Sequence, residues 1–151
     1  MKIFYQDDID YFNNYWDHYI NTDRARIHEK YHRLHDVIEL APFTNDKTFQ
    51  NKLKPLEEIS GLRIRNSYML EYKKGSYAEM HCDDGSELTS TTLIYKSSNL
   101  DGGEILTSKN EKIKINKLKL GESIFYDRNV NHGISEVIEG VRRVLIVWMK
   151  K

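Results

Sequence analysis

The chain has 151 residues with 23 basic and 23 acidic side chains, so its formal net charge is zero and provides no long-range attraction to nucleic acid. Its one cysteine excludes an internal disulfide, and no apolar run is long enough for a signal peptide or a membrane span. We expect one cytoplasmic domain over residues 1–151, with neither a nucleic-acid nor a membrane partner.

Apolar residues recur at helical spacing over about residues 7–60. One series precedes Asn21-Thr22-Asp23, a segment suited to a helix break and an N-cap, and a second series follows it. We predict two amphipathic helices, or one bent helix, from these series: Ile9, Phe12, Trp16 and Tyr19, then Ile27, Tyr31, Leu34 and Ile38. A third helical stretch should follow Thr44-Asn45-Asp46 and should kink or restart at Pro55, with the apolar residues Phe49, Leu53 and Leu56. These helices should cover the outer face of a larger sheet.

Four of the six histidines lie in this helical region. His28 and His32 are four residues apart and could share a metal on one helix face. We nevertheless interpret all four as exposed helix residues: His18, His28, His32 and His35.

Alternation with a period of two begins at Leu62 and indicates a β core over about residues 62–149. The first long strand should present five apolar or aromatic residues on one face and polar residues on the other; the five are Leu62, Ile64, Tyr68, Leu70 and Tyr72. Further strands are predicted at about 88–96, 104–108, 112–115, 122–127, 133–138 and 142–149. Several short strands with glycine-marked turns favour a sandwich or a jelly roll.

The pair His81 and Asp83 has the spacing of a metal site on a strand. Successive strand side chains alternate between faces, so these two should project together, with Tyr77 and Glu79, while Cys82 points away. The opposite face, with Ala78, Met80 and Cys82, should be apolar and packed. His132 lies in the turn-rich stretch 129–133 and could provide a third ligand from a neighbouring strand. Two histidines and one carboxylate on one side of a metal leave its other side open, as in non-haem Fe(II) oxygenases.

Arg142 begins a strand that is apolar on both faces. Arg142, Val144, Ile146 and Trp148 should share one face, with Leu145, Val147 and Met149 on the other. A buried arginine at that position needs an anionic partner, and its planar fork suits a carboxylate. An organic acid bound beside the metal would be such a partner.

The order of these motifs resembles the prolyl 4-hydroxylase-like branch of the 2-oxoglutarate and Fe(II)-dependent dioxygenases. The similarity covers about half of the chain, roughly residues 68–149. The matching segments are Tyr72-Lys73-Lys74-Gly75 before His81-x-Asp83, Thr92-Leu93-Ile94-Tyr95, Gly102-Gly103-Glu104, Leu118-Lys119-Leu120-Gly121, His132-Gly133, and Gly140-x-Arg142 through Trp148.

This resemblance implies a mainly β fold, a double-stranded β-helix (jelly-roll) core flanked by N-terminal α-helices. It implies that His81, Asp83 and His132 bind Fe(II), and that Arg142 and Tyr95 bind the far carboxylate of the co-substrate 2-oxoglutarate. Dioxygen would be the second co-substrate, with ascorbate as an optional reductant. The reaction would release succinate and CO2 and hydroxylate a C–H bond, with the metal ligands as the only catalytic residues.

The resemblance leaves the substrate open. Peptidyl proline in a protein or peptide is the leading prediction, and a free amino acid or another small metabolite is the alternative. Tyr72 and Tyr77 are weaker pocket candidates, and residues 40–50 could form a lid. Two other classes remain open, a sensor that binds metal and 2-oxoglutarate without turnover and a cupin-like metalloprotein. Oligomeric state is not predicted.

Overall fold

The computed structural model describes residues 1–31 and 33–151, and only the backbone of Lys30 and Tyr31. Three helices and eleven strands follow one another in the described residues. They are α1 Gln6–Tyr19, β1 Ala25–Tyr31, β2 Leu34–Leu40, α2 Lys47–Lys52, α3 Lys54–Ser60, β3 Arg63–His81, β4 Leu88–Lys96, β5 Asp101–Gly102, β6 Ile105–Lys109, β7 Lys112–Asn116, β8 Ser123–Asp127, β9 Asn131–Ile134, β10 Val137–Glu139 and β11 Arg142–Lys150.

The first predicted helix is confirmed as α1. Its buried residues Ile9, Phe12, Tyr15 and Trp16 form one apolar stripe. Two acidic residues, Asp7 and Asp8, lie in its first turn, where the helix dipole favours negative charge.

The second predicted helix is wrong, because residues 25–40 form the antiparallel β1–β2 hairpin. Ile27 pairs with Ile38 and His28 with Val37, and β2 continues the pairing onto β3. A spacing of four residues also repeats on one face of a strand, and Ile27, Val37 and Ile38 are β-branched residues that suit a sheet. Pairing with the neighbouring strand therefore outweighed the helical pattern. His28 and His35 lie on strands, not on a helix, and His32 lies outside the described residues.

The third helical stretch is confirmed as two short helices. The side chain of Asp46 accepts a hydrogen bond from the Phe49 backbone at 3.0 Å and so caps α2. Pro55 lies in the first turn of α3, where its missing N–H has no helical partner to lose.

A curled antiparallel sheet forms the jelly-roll core that was predicted. Its main strand order is β7-β6-β9-β3-β11-β4-β8, with the β1–β2 hairpin joined to β3, and β5 pairs with β10 in a small second sheet. The central strand, β3, is 19 residues long and pairs with β2, β9 and β11. Because β3 is this long, it extends from Arg63, next to the helices, to His81 at its other end.

Two apolar clusters lie on opposite faces of this sheet. One contains Phe12 and Trp16 of α1 packed against Leu145, Val147 and Met149 of β11. The other contains Leu70, Tyr72, Val144 and Ile146, with Trp148 packed against it. The predicted division of β11 into two faces is thus confirmed, and the helices cover the outer face. No helix in residues 1–31 and 33–151 is long and apolar enough to cross a membrane.

The predicted face of β3 is only partly correct. A register shift opposite Trp148 and Met149 separates Ile64 from the later residues of the strand. Ile64 packs on the helical side, whereas Tyr68, Leu70 and Tyr72 belong to the cluster on the other face.

Candidate metal and co-substrate site

The structure brings His81, Asp83 and His132 together. His81 is the last residue of β3, and it lies directly opposite His132 of β9 in the strand register. The two imidazole rings are 4.3 Å apart between centroids. Asp83 follows two residues after the strand ends, so its carboxylate reaches the same point from a loop.

The donor atoms of these three residues converge. Asp83 Oδ1 lies 3.4 Å from His81 Nε2, and Asp83 Oδ2 lies 3.3 Å from His132 Nε2. One ligand atom from each residue lies within 4.8 Å of the others. Distances of this size suit three ligands that share one first-row metal ion at about 2.0–2.2 Å from each donor.

Hydrogen bonds orient each of the three side chains. Nδ1 of His81 lies 2.7 Å from the Glu79 carbonyl oxygen, and Nδ1 of His132 lies 3.1 Å from that of Val130. Donation to these carbonyls fixes each ring with its Nε2 facing the Asp83 carboxylate, so Nε2 can donate to this carboxylate when no metal is bound and is the atom that would bind a metal. Thr89 donates to Asp83 Oδ2 at 2.9 Å.

The carboxyl of Asp83 is held ionised. Burial opposes its ionisation, but hydrogen bonds from His132, His81 and Thr89 outweigh burial and hold its pKa well below the ordinary value. The donor set therefore contains one anionic oxygen and two imidazole nitrogens before any cation binds. This is the mixed nitrogen and oxygen set that suits Fe(II).

The predicted faces around His81 are wrong in part. A register shift between Ala78 and His81 breaks the strict alternation. Ala78 lines the same cavity as His81 instead of facing away, and Met80 is exposed instead of packed. Cys82 does point away from the ligands, with its thiol 3.1 Å from the Asn131 side chain.

A cavity of about 410 Å³ lies beside the three donors. Its volume is within the ordinary range for small-molecule sites. Its wall is mainly aromatic and aliphatic, including Tyr68, Tyr72, Tyr126, Ile134, Val144 and Trp148. This wall places apolar surface beside the donor cluster.

Arg142 is buried next to the tyrosines of this cavity. It is 3% exposed, its guanidinium lies 5.9 Å from the Tyr72 ring centroid, and its Nη1 has no hydrogen-bond partner among the described residues. Burial lowers the pKa of Arg142 from its ordinary value to about 10, so the group stays charged at neutral pH. A buried cation with an unpaired N–H fits an anionic ligand, as predicted for a carboxylate.

Gly103 contributes the space for Arg142. A Cβ at that position would lie 2.8 Å from Arg142 Cδ and 2.8 Å from Val137 Cγ2. The backbone of Gly103 also has φ +66°, a value that residues with a side chain rarely adopt. The Gly102-Gly103 motif therefore packs against the stem of the arginine.

Tyr95 is not in the cavity, contrary to the expectation that it assists Arg142. The register of β4 against β11 shifts so that Ile94 is an extra residue, and Tyr95 then pairs with Arg143. Tyr95 is 39% exposed, and the Arg143 guanidinium lies 4.9 Å from its ring centroid. Arg143 itself pairs with Glu71 at 2.6 Å on the outer face, away from Arg142.

Thr89 is a site residue that sequence reasoning did not single out, and Tyr126 is a second residue in contact with a proposed metal ligand. The ring of Tyr126 stacks on His132 at 4.0 Å between centroids, and its hydroxyl is hydrogen-bonded to that of Thr91. Tyr72 had been only a weak candidate, yet it lines the cavity beside Arg142. The run Thr89-Ser90-Thr91-Thr92 was the available signal, because four hydroxyl residues in a buried central strand need partners.

The remaining candidates lie apart from the donor cluster. Tyr77 stacks on His35 at 4.2 Å. Of residues 40–50, Ala41 lines the cavity, and several others border a separate groove next to α2. The segment from His28 to His32 has the spacing of the His-Glu-x-x-His metal motif, but that motif needs a helix, and residues 28–31 form a strand.

Two curated relatives, both named as PKHD-type hydroxylases, align with part of the chain. The protein from Rippkaea orientalis (strain PCC 8801 / RF-1) is 27% identical over 97 residues, and the match covers 58% of this chain and 44% of the relative. The protein from Prochlorococcus marinus (strain MIT 9211) is 24% identical over 117 residues, and the match covers 71% of this chain and 53% of the relative. The aligned part of the chain spans about half the length of these relatives. No family model matches the chain.

Solved structures share the fold at low sequence identity. A prolyl-4-hydroxylase of Pseudomonas putida matches with a TM-score of 0.72 at 10% identity, covering 99% of this chain and 89% of that one. A prolyl hydroxylase from Trichoplax adhaerens, in complex with a peptide fragment of the hypoxia inducible factor oxygen degradation domain, matches with a TM-score of 0.71 at 11% identity, covering 98% and 80%. The chain thus shares its fold with solved prolyl hydroxylases, and part of it is similar in sequence to curated PKHD-type hydroxylases.

Proposed function

We propose that the chain is a 2-oxoglutarate- and Fe(II)-dependent dioxygenase that hydroxylates a C–H bond. One observation carries the proposal: a convergent His81, Asp83 and His132 cluster and the buried, unpaired Arg142 border the same aromatic wall. A metal site by itself is common to many classes of protein. A ligand that reaches both a metal site and a buried cation needs a chelating group at one end and a carboxylate at the other. 2-Oxoglutarate has both.

Each group has a separate task in this proposal. His81, Asp83 and His132 hold Fe(II), which together with 2-oxoglutarate and dioxygen supplies the oxidising chemistry. Arg142 pairs with the far carboxylate of 2-oxoglutarate. Tyr72 and Tyr126 line the cavity near Arg142, and the hydroxyl of Tyr72, which makes no hydrogen bond within the described residues, is the donor we assign to that carboxylate in place of Tyr95. The aliphatic wall keeps water from the reacting groups.

For the substrate we propose peptidyl proline, hydroxylated in a protein or peptide. The Trichoplax adhaerens structure holds a peptide on a similar fold, which supports this class of ligand. A free amino acid or small metabolite is the competing substrate class. Ascorbate is proposed as a reductant that maintains Fe(II). We also propose the cytoplasm as the location, because Fe(II) and a free thiol such as Cys82 persist in a reducing compartment.

The test combines binding with turnover. Calorimetry without dioxygen, on protein loaded with Mn(II), should show one 2-oxoglutarate site. With Fe(II) and air, succinate should form faster when proline-containing peptides are added, and mass spectrometry should find one added oxygen atom in the product. Absence of 2-oxoglutarate binding would favour a cupin-like metalloprotein. Binding without succinate under any condition would favour a sensor.

A further inference from the structure

The β1–β2 hairpin brings Arg33 to the mouth of the cavity, beside the metal-binding end of β3. The backbone N–H of Glu79 donates to the Arg33 carbonyl at 2.8 Å, which fixes the position of the residue. Its side chain donates through Nη1 to the carbonyl of Cys82 at 3.2 Å. Cys82 lies between His81 and Asp83, so the Arg33 guanidinium is held next to the two ligand residues and lines the cavity.

The other charged side chains of the cavity already have partners. Glu39 pairs with Arg26 at 3.2 Å and with His28 at 3.3 Å. Asp83 is occupied by its contacts with His81 and His132. In the part of the chain that the structure describes, Arg33 makes no ion pair, and one of its five N–H donors is used, by Cys82. Arg33 is therefore the cation at the cavity mouth that has room for an additional anion.

We propose that Arg33 binds a carboxylate of the substrate and makes the enzyme selective for substrates that carry one near the hydroxylated carbon. This inference rests on the proposed function and names its substrate class further. The planar guanidinium suits two parallel hydrogen bonds to a carboxylate. Two sources share this chemistry, the side chain of an acidic residue next to the target in a peptide and the α-carboxylate of a free amino acid.

Arg33 and Arg142 bind two different anions at two separate positions in this proposal. Arg142 is buried behind the aromatic wall, whereas Arg33 is only partly buried at the mouth. A co-substrate that fills the inner end first would leave Arg33 as the cation available to a second, later ligand. Like-charged carboxylates then bind at separate positions instead of competing for one arginine.

The experiment compares matched probes that differ only in a carboxylate. One arm uses short peptides with a central proline flanked in turn by glutamate or glutamine. The other arm uses free L-proline and other free amino acids against the corresponding amides. Each probe is measured by succinate formation with Fe(II), and by calorimetry without dioxygen on the Mn(II)-loaded protein, both with and without 2-oxoglutarate.

The native protein should prefer the carboxylate probe of one arm by on the order of tenfold, the usual contribution of a charged hydrogen bond. Arg33→Gln should remove that preference through KM, while Arg33→Lys should restore part of it. Arg26→Gln, a cavity arginine that already pairs with Glu39, should keep the preference. The arm that shows it identifies the source of the carboxylate.

Three results would overturn the proposal. The native protein could treat every carboxylate and its amide alike, or Arg33→Gln could keep the preference. Alternatively, Arg33→Gln could weaken Mn(II) binding as much as it weakens probe binding, which would make Arg33 a structural clamp on Cys82. Loss of 2-oxoglutarate binding in the native protein would instead contradict the proposed function, and the calorimetry without 2-oxoglutarate would still test Arg33.

Discussion

At the scale of a single residue, Arg142 is the buried charge that we propose the fold keeps available for a ligand. Its guanidinium is buried and charged, and its Nη1 has no partner in the described residues. Burial of a charge costs several kcal/mol unless hydrogen bonds and an opposite charge offset it. The Tyr72 ring contributes a weak cation–π contact at 5.9 Å, which does not replace a carboxylate. The folded protein without ligand is therefore less stable than its core packing would allow.

Replacement of Arg142 should separate stability from binding. We expect Arg142→Met to keep or raise the unfolding temperature of the ligand-free protein, because buried ions can often be replaced by apolar side chains without loss. Arg142→Ala should weaken 2-oxoglutarate binding at least tenfold, with a cost on the order of 2–5 kcal/mol, and leave Mn(II) affinity nearly unchanged. Thermal unfolding with and without 2-oxoglutarate, and calorimetry, measure both effects. Unchanged 2-oxoglutarate affinity would contradict the assignment of this residue.

The three proposed metal ligands should be individually necessary. We expect His81→Ala or Asp83→Ala to abolish turnover and to lower Mn(II) affinity. The loss should exceed the roughly 10–100-fold that follows removal of a residue that only hydrogen-bonds to a metal ligand. The fold should persist, because both residues lie at the cavity and not in either apolar cluster. His18→Ala is the matched control, since His18 is exposed on α1. Near-native succinate formation by either ligand variant, with a native circular dichroism spectrum, would exclude this site.

Strand irregularities decide at the scale of elements which side chains reach the site. An extra residue at Ile94 turns Tyr95 toward Arg143, and a second shift between Ala78 and His81 brings both of these residues to the cavity. Both register shifts depend on how neighbouring strands align, and a bulge changes the direction of every side chain beyond it. Strict alternation along one strand could not reveal them.

Other elements were accessible from the sequence. The two faces of β11 and the stripe of α1 follow from periodicity alone, because each element buries a regular set of apolar residues. His81, Asp83 and His132 could be grouped from their spacing and motif order. The β1–β2 hairpin could not be recognised, since Ile27, Tyr31, Leu34 and Ile38 suit a helix as well as alternate positions of a strand. The location of Arg33 depended on that hairpin.

A pair of tyrosine variants tests the bulge in β4. We expect Tyr95→Phe to leave 2-oxoglutarate affinity unchanged, because its hydroxyl lies on the outer face beside Arg143. Tyr72→Phe should weaken that affinity by about fivefold, since it removes a donor near Arg142 with a typical net contribution of about 1 kcal/mol. Calorimetry on the two Mn(II)-loaded variants gives a direct comparison. The opposite order of effects would mean that Tyr95 faces the cavity in solution.

At the scale of the whole molecule, one sheet separates a helical layer from the cavity. Alternate residues of β11 contribute to the two sides, with Leu145 and Val147 outward and Val144 and Ile146 inward. Asn13 of α1 is hydrogen-bonded to both β4 and β11. It donates to the Ile94 carbonyl at 2.8 Å and accepts from the Arg143 guanidinium at 2.6 Å. The outer layer thus supports β4 and β11, the strand that carries Arg142, and contributes none of the three proposed metal ligands.

Loss of outer packing should therefore reduce stability and leave the site intact. Phe12 is fully buried in α1, so Phe12→Ala should lower the free energy of unfolding by about 3–5 kcal/mol. Asn14→Ala, on the exposed side of the same helix, is the control and should have little effect. Mn(II) at about 100 times its Kd should restore about 2.7 kcal/mol in the Phe12→Ala protein, because the ion binds only the folded form. Denaturant unfolding with and without Mn(II) measures both quantities, and a Phe12→Ala protein that folds but binds Mn(II) much more weakly would show that the two layers are coupled.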